Sequence, residues 1–181
     1  GGYALVDLQT SRVMGTIPHL HSQKGYGSCV FDGTGALLTN DYGGCYRWPI
    51  RVEKHAGNER CIVGPPIQMP FHVGVCPIAA SADGQVIAQC MWNGFGMSEH
   101  AGGWIKGPGD SRPVWVNRGQ NCGHCSVSPD GRWVLIQHEV FDSGTGKQVW
   151  TIPNYGIGIF SRDSKSIITT CGGGQVFSTD T

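Results

Sequence analysis

One phrase occurs four times in this chain: a short apolar run, an Asp/Gly turn, then a second apolar run. It reads Ser28-Cys-Val-Phe-Asp-Gly-Thr-Gly-Ala-Leu-Leu-Thr39, and returns as Ala79-Ala-Ser-Ala-Asp-Gly-Gln-Val-Ile-Ala88. It returns again as Ser126-Val-Ser-Pro-Asp-Gly-Arg-Trp-Val-Leu135 and as Ile159-Phe-Ser-Arg-Asp-Ser-Lys-Ser-Ile-Ile168. The turn residues Gly35, Gly84, Gly131 and Ser164 lie 49, 47 and 33 residues apart. Self-similarity of this kind constrains the fold strongly, because it means a stack of like units. Asp-Gly supplies the positive-φ position of a tight turn, so its flanking runs pair as an antiparallel hairpin.

A second phrase extends the unit. Val6-Asp-Leu-Gln-Thr-Ser-Arg-Val-Met-Gly-Thr-Ile-Pro18 aligns without gaps on Phe141-Asp-Ser-Gly-Thr-Gly-Lys-Gln-Val-Trp-Thr-Ile-Pro153, an offset of 135 residues. A further copy begins at Val176-Phe177. This is another polar turn with an apolar run behind it, so each unit is expected to hold four short strands. A single such sheet buries little, whereas repeats packed side by side around an axis bury both faces. The first two turn spacings, 49 and 47 residues, are near the ~40–45 residues of a four-stranded propeller blade.

The expected fold is therefore all-β, a β-propeller with about four blades. Residues 3–20 are expected to form a partial blade, 26–73, 75–119 and 121–154 whole ones, and 157–181 a second partial one. Helix is not expected, since Pro and Gly interrupt every candidate period. The 29 glycines among 181 residues, roughly twice the usual ~7%, fit many tight turns. Both ends fall inside repeats, so residues 1–181 are expected to be a segment of a larger ring rather than a closed four-bladed one.

Ser128-Pro-Asp-Gly-Arg-Trp-Val and the Phe141-Asp-x-x-Thr-Gly-x phrase resemble WD40 repeats of the bacterial type. More narrowly, Phe31-Asp-Gly-Thr-Gly-Ala-Leu-Leu-Thr-Asn40, Arg47-Trp-Pro-Ile50 and Ile78-Ala-Ala-Ser-Ala-Asp-Gly84 resemble the carboxy-terminal propellers that some bacteria fuse behind a Ser/Thr protein kinase domain. The resemblance implies a non-catalytic scaffold for protein binding. Its alternative is a sensor or substrate-docking propeller of such a kinase, with the catalytic domain outside this chain. The chain departs from the eukaryotic pattern: Gly123-His124 lies only six residues before Asp130, and the Trp-Asp ending is Trp48-Pro49 or Phe141-Asp142. No Gly-rich loop with a following Lys, no His-Arg-Asp and no Asp-Phe-Gly is present, so the chain lacks the parts for phosphoryl transfer.

Charge narrows the partners. Thirteen Lys+Arg balance thirteen Asp+Glu, leaving no basic field for a phosphate backbone, so nucleic acid is not expected. No apolar run approaches the ~20 residues of a membrane helix, and membrane insertion is not expected in this segment. The eight cysteines are sparse for a disulfide scaffold and lie scattered through apolar stretches. Reduced, mostly buried thiols in a cytoplasmic protein are expected.

Four short motifs invite chemistry and are read as structure. Cys122-Gly-His-Cys125 spells a redox dithiol, but that chemistry needs a helix N-terminus, and a strand and turn follow here. A Cys pair on an inner strand is expected instead. His19-x-His21 falls in a link between blades. His138-Glu139 starts a His-Glu-x-x-His string whose fifth residue is Asp142, on a strand where i and i+4 do not converge. Gly144-Thr-Gly-Lys147 reads as a hairpin turn rather than a phosphate loop. No catalytic, cofactor or metal residue is expected.

Trp48, Trp133 and Trp150 fall on strand phrases and are expected in the core. Trp92, Asn93 and Phe95 open a long Gly-rich stretch in the third blade. In a propeller, the loops from strand two to strand three share one face with the links between blades. That face gathers Asn40, Asp41 and Tyr42, then Trp92, Asn93 and Phe95, then Arg118, Gln120 and Asn121. Aromatics, an Arg and short amides are the composition of an interface centre, so these nine residues are the candidate site for a protein or peptide partner.

Overall fold

The structure, a computed structural model, describes residues 2–20, 27–41, 43–55, 58–71, 77–91, 102–109, 112–116, 122–153, 157–170 and 174–179. Among these the chain is all-β, and no helix is long and apolar enough to cross a membrane. β1 (Gly2–Val6) and β2 (Val13–Pro18) form a hairpin. A four-stranded sheet follows, ordered β3 (Ser28–Phe31), β4 (Leu37–Asp41), β5 (Gly44–Trp48) and β8 (Ile67–Gln68). Between its last two strands a separate hairpin inserts, β6 (Ile50–His55) with β7 (Asn58–Val63). The repeat pattern did not announce this hairpin, because Ile50 to Val63 carries none of the recurring turn phrase.

The next sheets follow chain order. One is β9 (Ile78–Ala80), β10 (Ile87–Met91), β11 (Gly102–Lys106) and β12 (Val114–Val116). Another is β13 (Cys125–Val127), β14 (Trp133–Ile136), β15 (Glu139–Asp142) and β16 (Gln148–Thr151). The last holds β17 (Gly158–Phe160), β18 (Ser166–Thr169) and β19 (Gln175–Ser178). Every pairing is antiparallel.

Successive sheets pack face to face, and strand alternation assigns each side chain to one neighbour or the other. In β14, Val134 and Ile136 meet Ala88, Cys90 and Ile105 of the preceding sheet, while Leu135 meets Phe160 and Ile167 of the following one. Both faces of such a strand are covered, so Ile87 to Met91 is buried throughout and reads as an unbroken run rather than an alternation. Each fully buried Leu or Ile contributes roughly 1.5–3 kcal/mol. Of the three strand tryptophans, Trp48 is buried and donates its indole N–H to Thr39 Oγ1 at 2.9 Å. Trp133 and Trp150 are half-buried around the Leu135 cluster.

The face of the last sheet away from this core is different. Ile159, Ile168 and Val176 pair across it in one row and are 52%, 45% and 68% exposed. The corresponding row one sheet earlier is Ser126, Leu135 and Val140, in which Leu135 and Val140 are buried.

The recurring turn has a common hydrogen-bond frame. Ser81, Ser128 and Ser161 each donate from Oγ to the Asp two residues on, at 2.6 Å. Each Ser Oγ also accepts the backbone N–H five residues on, from Val86, Trp133 and Ser166. Gly35, Gly84, Gly131 and Ser164 all have positive φ, between 62° and 86°. In the first copy the two polar residues exchange places: Asp32 stands where the others have Ser, and Thr34 Oγ1 donates back to it at 2.6 Å.

The 135-residue offset holds at the level of the backbone. β1 is bulged between Leu5 and Val6, and β15 between Val140 and Phe141. Thr10 and Thr145 donate to Asp7 and Asp142 in the two following turns. Ser11, at φ 55°, stands where the second copy has Gly146 at φ 68°. An L-residue there costs about 1–2 kcal/mol, partly offset by the ~0.5–1 kcal/mol of extra chain entropy that Gly loses on folding. Ser11→Gly is therefore expected to stabilise the protein by about 0.5–1 kcal/mol, read as a raised denaturant midpoint at unchanged slope.

Candidate functional site

Antiparallel order sends the repeated Asp/Gly turns to one end of the sheets, together with the turns after β1 and β15. The connections from second to third strand, and from one sheet to the next, collect at the other end. Backbone bonds hold that second end together. Cys122 N–H donates to Met91 O at 3.3 Å, Gln137 N–H to His124 O at 3.0 Å, and Ile152 N–H to His138 O at 2.7 Å. Each of these joins the edge of a sheet-to-sheet link to the edge of a second-to-third-strand turn.

Of the nine candidate residues, Tyr42, Trp92, Asn93, Phe95, Arg118, Gln120 and Asn121 lie outside the described residues. Asp41 closes β4, and only its backbone is described. Asn40 is not on an open surface. It is fully buried, and its Oδ1 accepts a hydrogen bond at 3.0 Å from Nε2 of Gln89, itself fully buried on β10. A buried amide in apolar surroundings needs a partner, and each of these supplies one across the boundary between two sheets. Asn40 thus braces the frame beneath the loops. Its position in sequence suggests the loop end; that its side chain turns inward depends on Gln89, 49 residues away.

The Asp/Gly end is polar but self-contained. Hydrogen bonds from Thr10, Ser81, Thr145 and Ser161, with backbone N–H groups behind them, hold Asp7, Asp83, Asp142 and Asp163 below the usual carboxylate range. Asp32 is the buried member. Burial alone would push its carboxyl up, but hydrogen bonds from Thr34, Arg47 and the Ala36 N–H outweigh it and leave the group lowered. Arg47 Nε donates to Asp32 Oδ2 at 2.8 Å, and its guanidinium also reaches Thr34 Oγ1 at 2.6 Å. Gly84 of the next turn packs against Asp32; a Cβ there would sit 3.0 Å from its carboxylate. The spacing of Asp32 and Arg47 gives no sign of this pair, which β4–β5 pairing creates.

The decoy motifs take structural places. Residues 144–147 form the turn between β15 and β16, with Thr145 N–H and Oγ1 both donating to Asp142. His138 lies in a turn and Glu139 on β15. His19 is half-buried with its ring 5.1 Å from that of Tyr3, and His21 lies outside the described residues. Cys125 opens β13, but Cys122 lies in the approach to it rather than on the strand, where its N–H is directed to Met91. His124 Nε2 donates to Gly158 O at 2.6 Å, joining two sheets.

All six described cysteines are thiols: Cys45, Cys90, Cys122 and Cys125 are buried, Cys61 half-buried and Cys29 exposed. Cys76 and Cys171 lie outside the described residues. Cys29 reaches solvent because it alternates with Val30, and only Val30 faces the next sheet. Among the described residues no group of three or more His, Cys, Asp or Glu is arranged to hold a metal ion. Trp104 and Trp115, unassigned by the repeat pattern, stack as cross-strand partners with ring centroids 5.4 Å apart. In comparison with known proteins, no family model and no curated protein matches the chain.

Proposed function

We propose that the chain is a non-catalytic interaction module, a WD40-like propeller segment whose loop end binds a protein or peptide. The reading rests on a contrast between the two ends of the sheets. At the Asp/Gly end, short turns direct their carboxylates and hydroxyls at their own backbone. At the other end, β14 and β15 are joined by Gln137 and His138 alone, whereas residues 92–101 join the equivalent β10 and β11. A long connection on a rigid scaffold is a common carrier of recognition, and this one contains Trp92, Asn93 and Phe95. Arg118, Gln120 and Asn121 fall in the link that returns to the same end.

Peptides selected from a displayed library against the folded chain test this directly. Trp92→Ala and Phe95→Ala are each expected to weaken a selected peptide by about 1–2 kcal/mol, roughly tenfold, with the melting temperature nearly unchanged. Retained affinity with lost stability would make these rings core side chains and remove the proposed site.

A further inference from the structure

Three thiols meet where the sheet of β9–β12 packs on that of β13–β16. Cys90, Cys122 and Cys125 belong to one buried cluster with Ala88, Val127 and Ile136. The Cys90 thiol has both other thiols as neighbours in this cluster. It also donates to the carbonyl of His124, between them in sequence, at 2.8 Å. The three are not equivalent. Cys125 is held in the β13 ladder opposite Ile136, with its Sγ directed at the carbonyls of Pro77 and Ala88, at 3.4 and 3.6 Å. Cys122 lies outside any strand, and its N–H donates to Met91, the residue after Cys90.

We propose that Cys90 and Cys122 are an oxidative modification site, joined by hydrogen peroxide into a reversible disulfide that ties the two sheets together. The Cys122 thiolate attacks one peroxide oxygen. The O–O bond breaks, the departing hydroxide takes up the proton that Cys122 released, and Cys122 becomes a sulfenic acid. The Cys90 sulfur then attacks the Cys122 sulfur, the S–O bond breaks, and the hydroxyl leaves with the Cys90 proton as water. Two thiols and one peroxide give one disulfide and two waters.

The surroundings suit these roles. The neighbouring Cys90 thiol holds Cys122 below its ordinary range, against its burial and the nearby Glu139 carboxylate. Burial, with the two neighbouring thiols, keeps Cys90 protonated. One sulfur is thus the better nucleophile and the other carries the proton that must leave with the hydroxyl. Full burial selects a water-sized oxidant. The disulfide would also tether the link carrying Arg118, Gln120 and Asn121 to the strand that leads into residues 92–101, a consequence independent of whether those residues bind a peptide.

The test oxidises the folded chain with hydrogen peroxide, blocks remaining thiols with an alkylating reagent, and maps peptides without reduction. A Cys90–Cys122 linked peptide is expected in the wild type and in Cys125→Ser, absent in Cys122→Ser, and lost on adding dithiothreitol. The oxidised chain is expected to melt roughly 5–10 °C higher, because the link closes a loop of about 30 residues in the unfolded state. Two results would overturn the proposal: a Cys122–Cys125 or Cys90–Cys125 link as the main product in the wild type, or Cys90 and Cys122 both recovered as alkylated thiols.

Discussion

Asp32→Ala is expected to lower the melting temperature by roughly 6–12 °C, the equivalent of about 3 kcal/mol in a chain of this size. The carboxylate is fully covered and accepts hydrogen bonds from Thr34 N–H, Thr34 Oγ1, Ala36 N–H and Arg47 Nε. Removing it strips the buried Ala36 N–H of an acceptor and leaves the Arg47 guanidinium, 28% exposed, without its carboxylate. The loss belongs near the lower end of the ~3–5 kcal/mol for breaking a buried pair, since water can still reach Arg47. Thermal unfolding followed by circular dichroism reads it.

Reversing the exchange of polar residues in this turn sharpens the test. Asp32→Ser alone should lose most of what Asp32→Ala loses. Asp32→Ser with Thr34→Asp recreates the Ser-x-Asp order of the other three copies and should recover much of it, because Arg47 already reaches position 34. No recovery would mean that the carboxylate is needed at position 32 itself. The acid limb follows by sign. Asp32 and its four more accessible counterparts have lowered folded-state pKa values, so their contribution is complete above the unfolded value of ~3.9 and is lost as pH falls through the folded values. The melting temperature should stay nearly level from pH 7 to about 5 and fall below about 4, with a shallower fall in Asp32→Ala.

Gly33→Ala is the second large effect. A Cβ at Gly33 would overlap the backbone carbonyl of Ala82 in the next turn, and neither group can rotate away. The turns of adjacent sheets are in register here. Ala82 N–H donates to Pro129 O at 2.9 Å, and Asp130 N–H to Ser164 Oγ at 3.0 Å. Pushing Gly33 aside therefore strains a row of turns rather than one loop. A cost of about 3 kcal/mol or more is expected, at the upper end for overpacking. Gly35→Ala is the control: nothing lies within 4 Å of its Cβ, so only its φ of 86° resists, at about 1–2 kcal/mol. Equal denaturant midpoints for the two variants would mean that the contact with Ala82 does not hold the sheets together.

Local chemistry was readable wherever it is local. The four turns, the all-β class and the hairpin nature of Gly144–Lys147 rest on residues within five positions of one another, and such interactions are written in the order of the chain. The likeness of residues 6–18 to 141–153 extends to a bulge and to a positive-φ residue, because twist and turn geometry follow from the same short phrase. The expectation about partners came from net charge, which is a property of the residue list.

Contacts between sheets were not readable in that way. Asn40 looked like a loop residue and is a brace, since its partner Gln89 arrives from the next sheet. Arg47 and Asp32 meet through β4–β5 pairing. Cys90 stands apart from Cys122-Gly-His-Cys125 in the chain, yet joins it once two sheets pack. The row Ile159, Ile168, Val176 has the same alternation as Ser126, Leu135, Val140 one sheet earlier, yet it is exposed where Leu135 and Val140 are covered. Alternation tells which side chains share a face, whereas burial and partners depend on which surface is brought against that face, and only the packed sheets decide this.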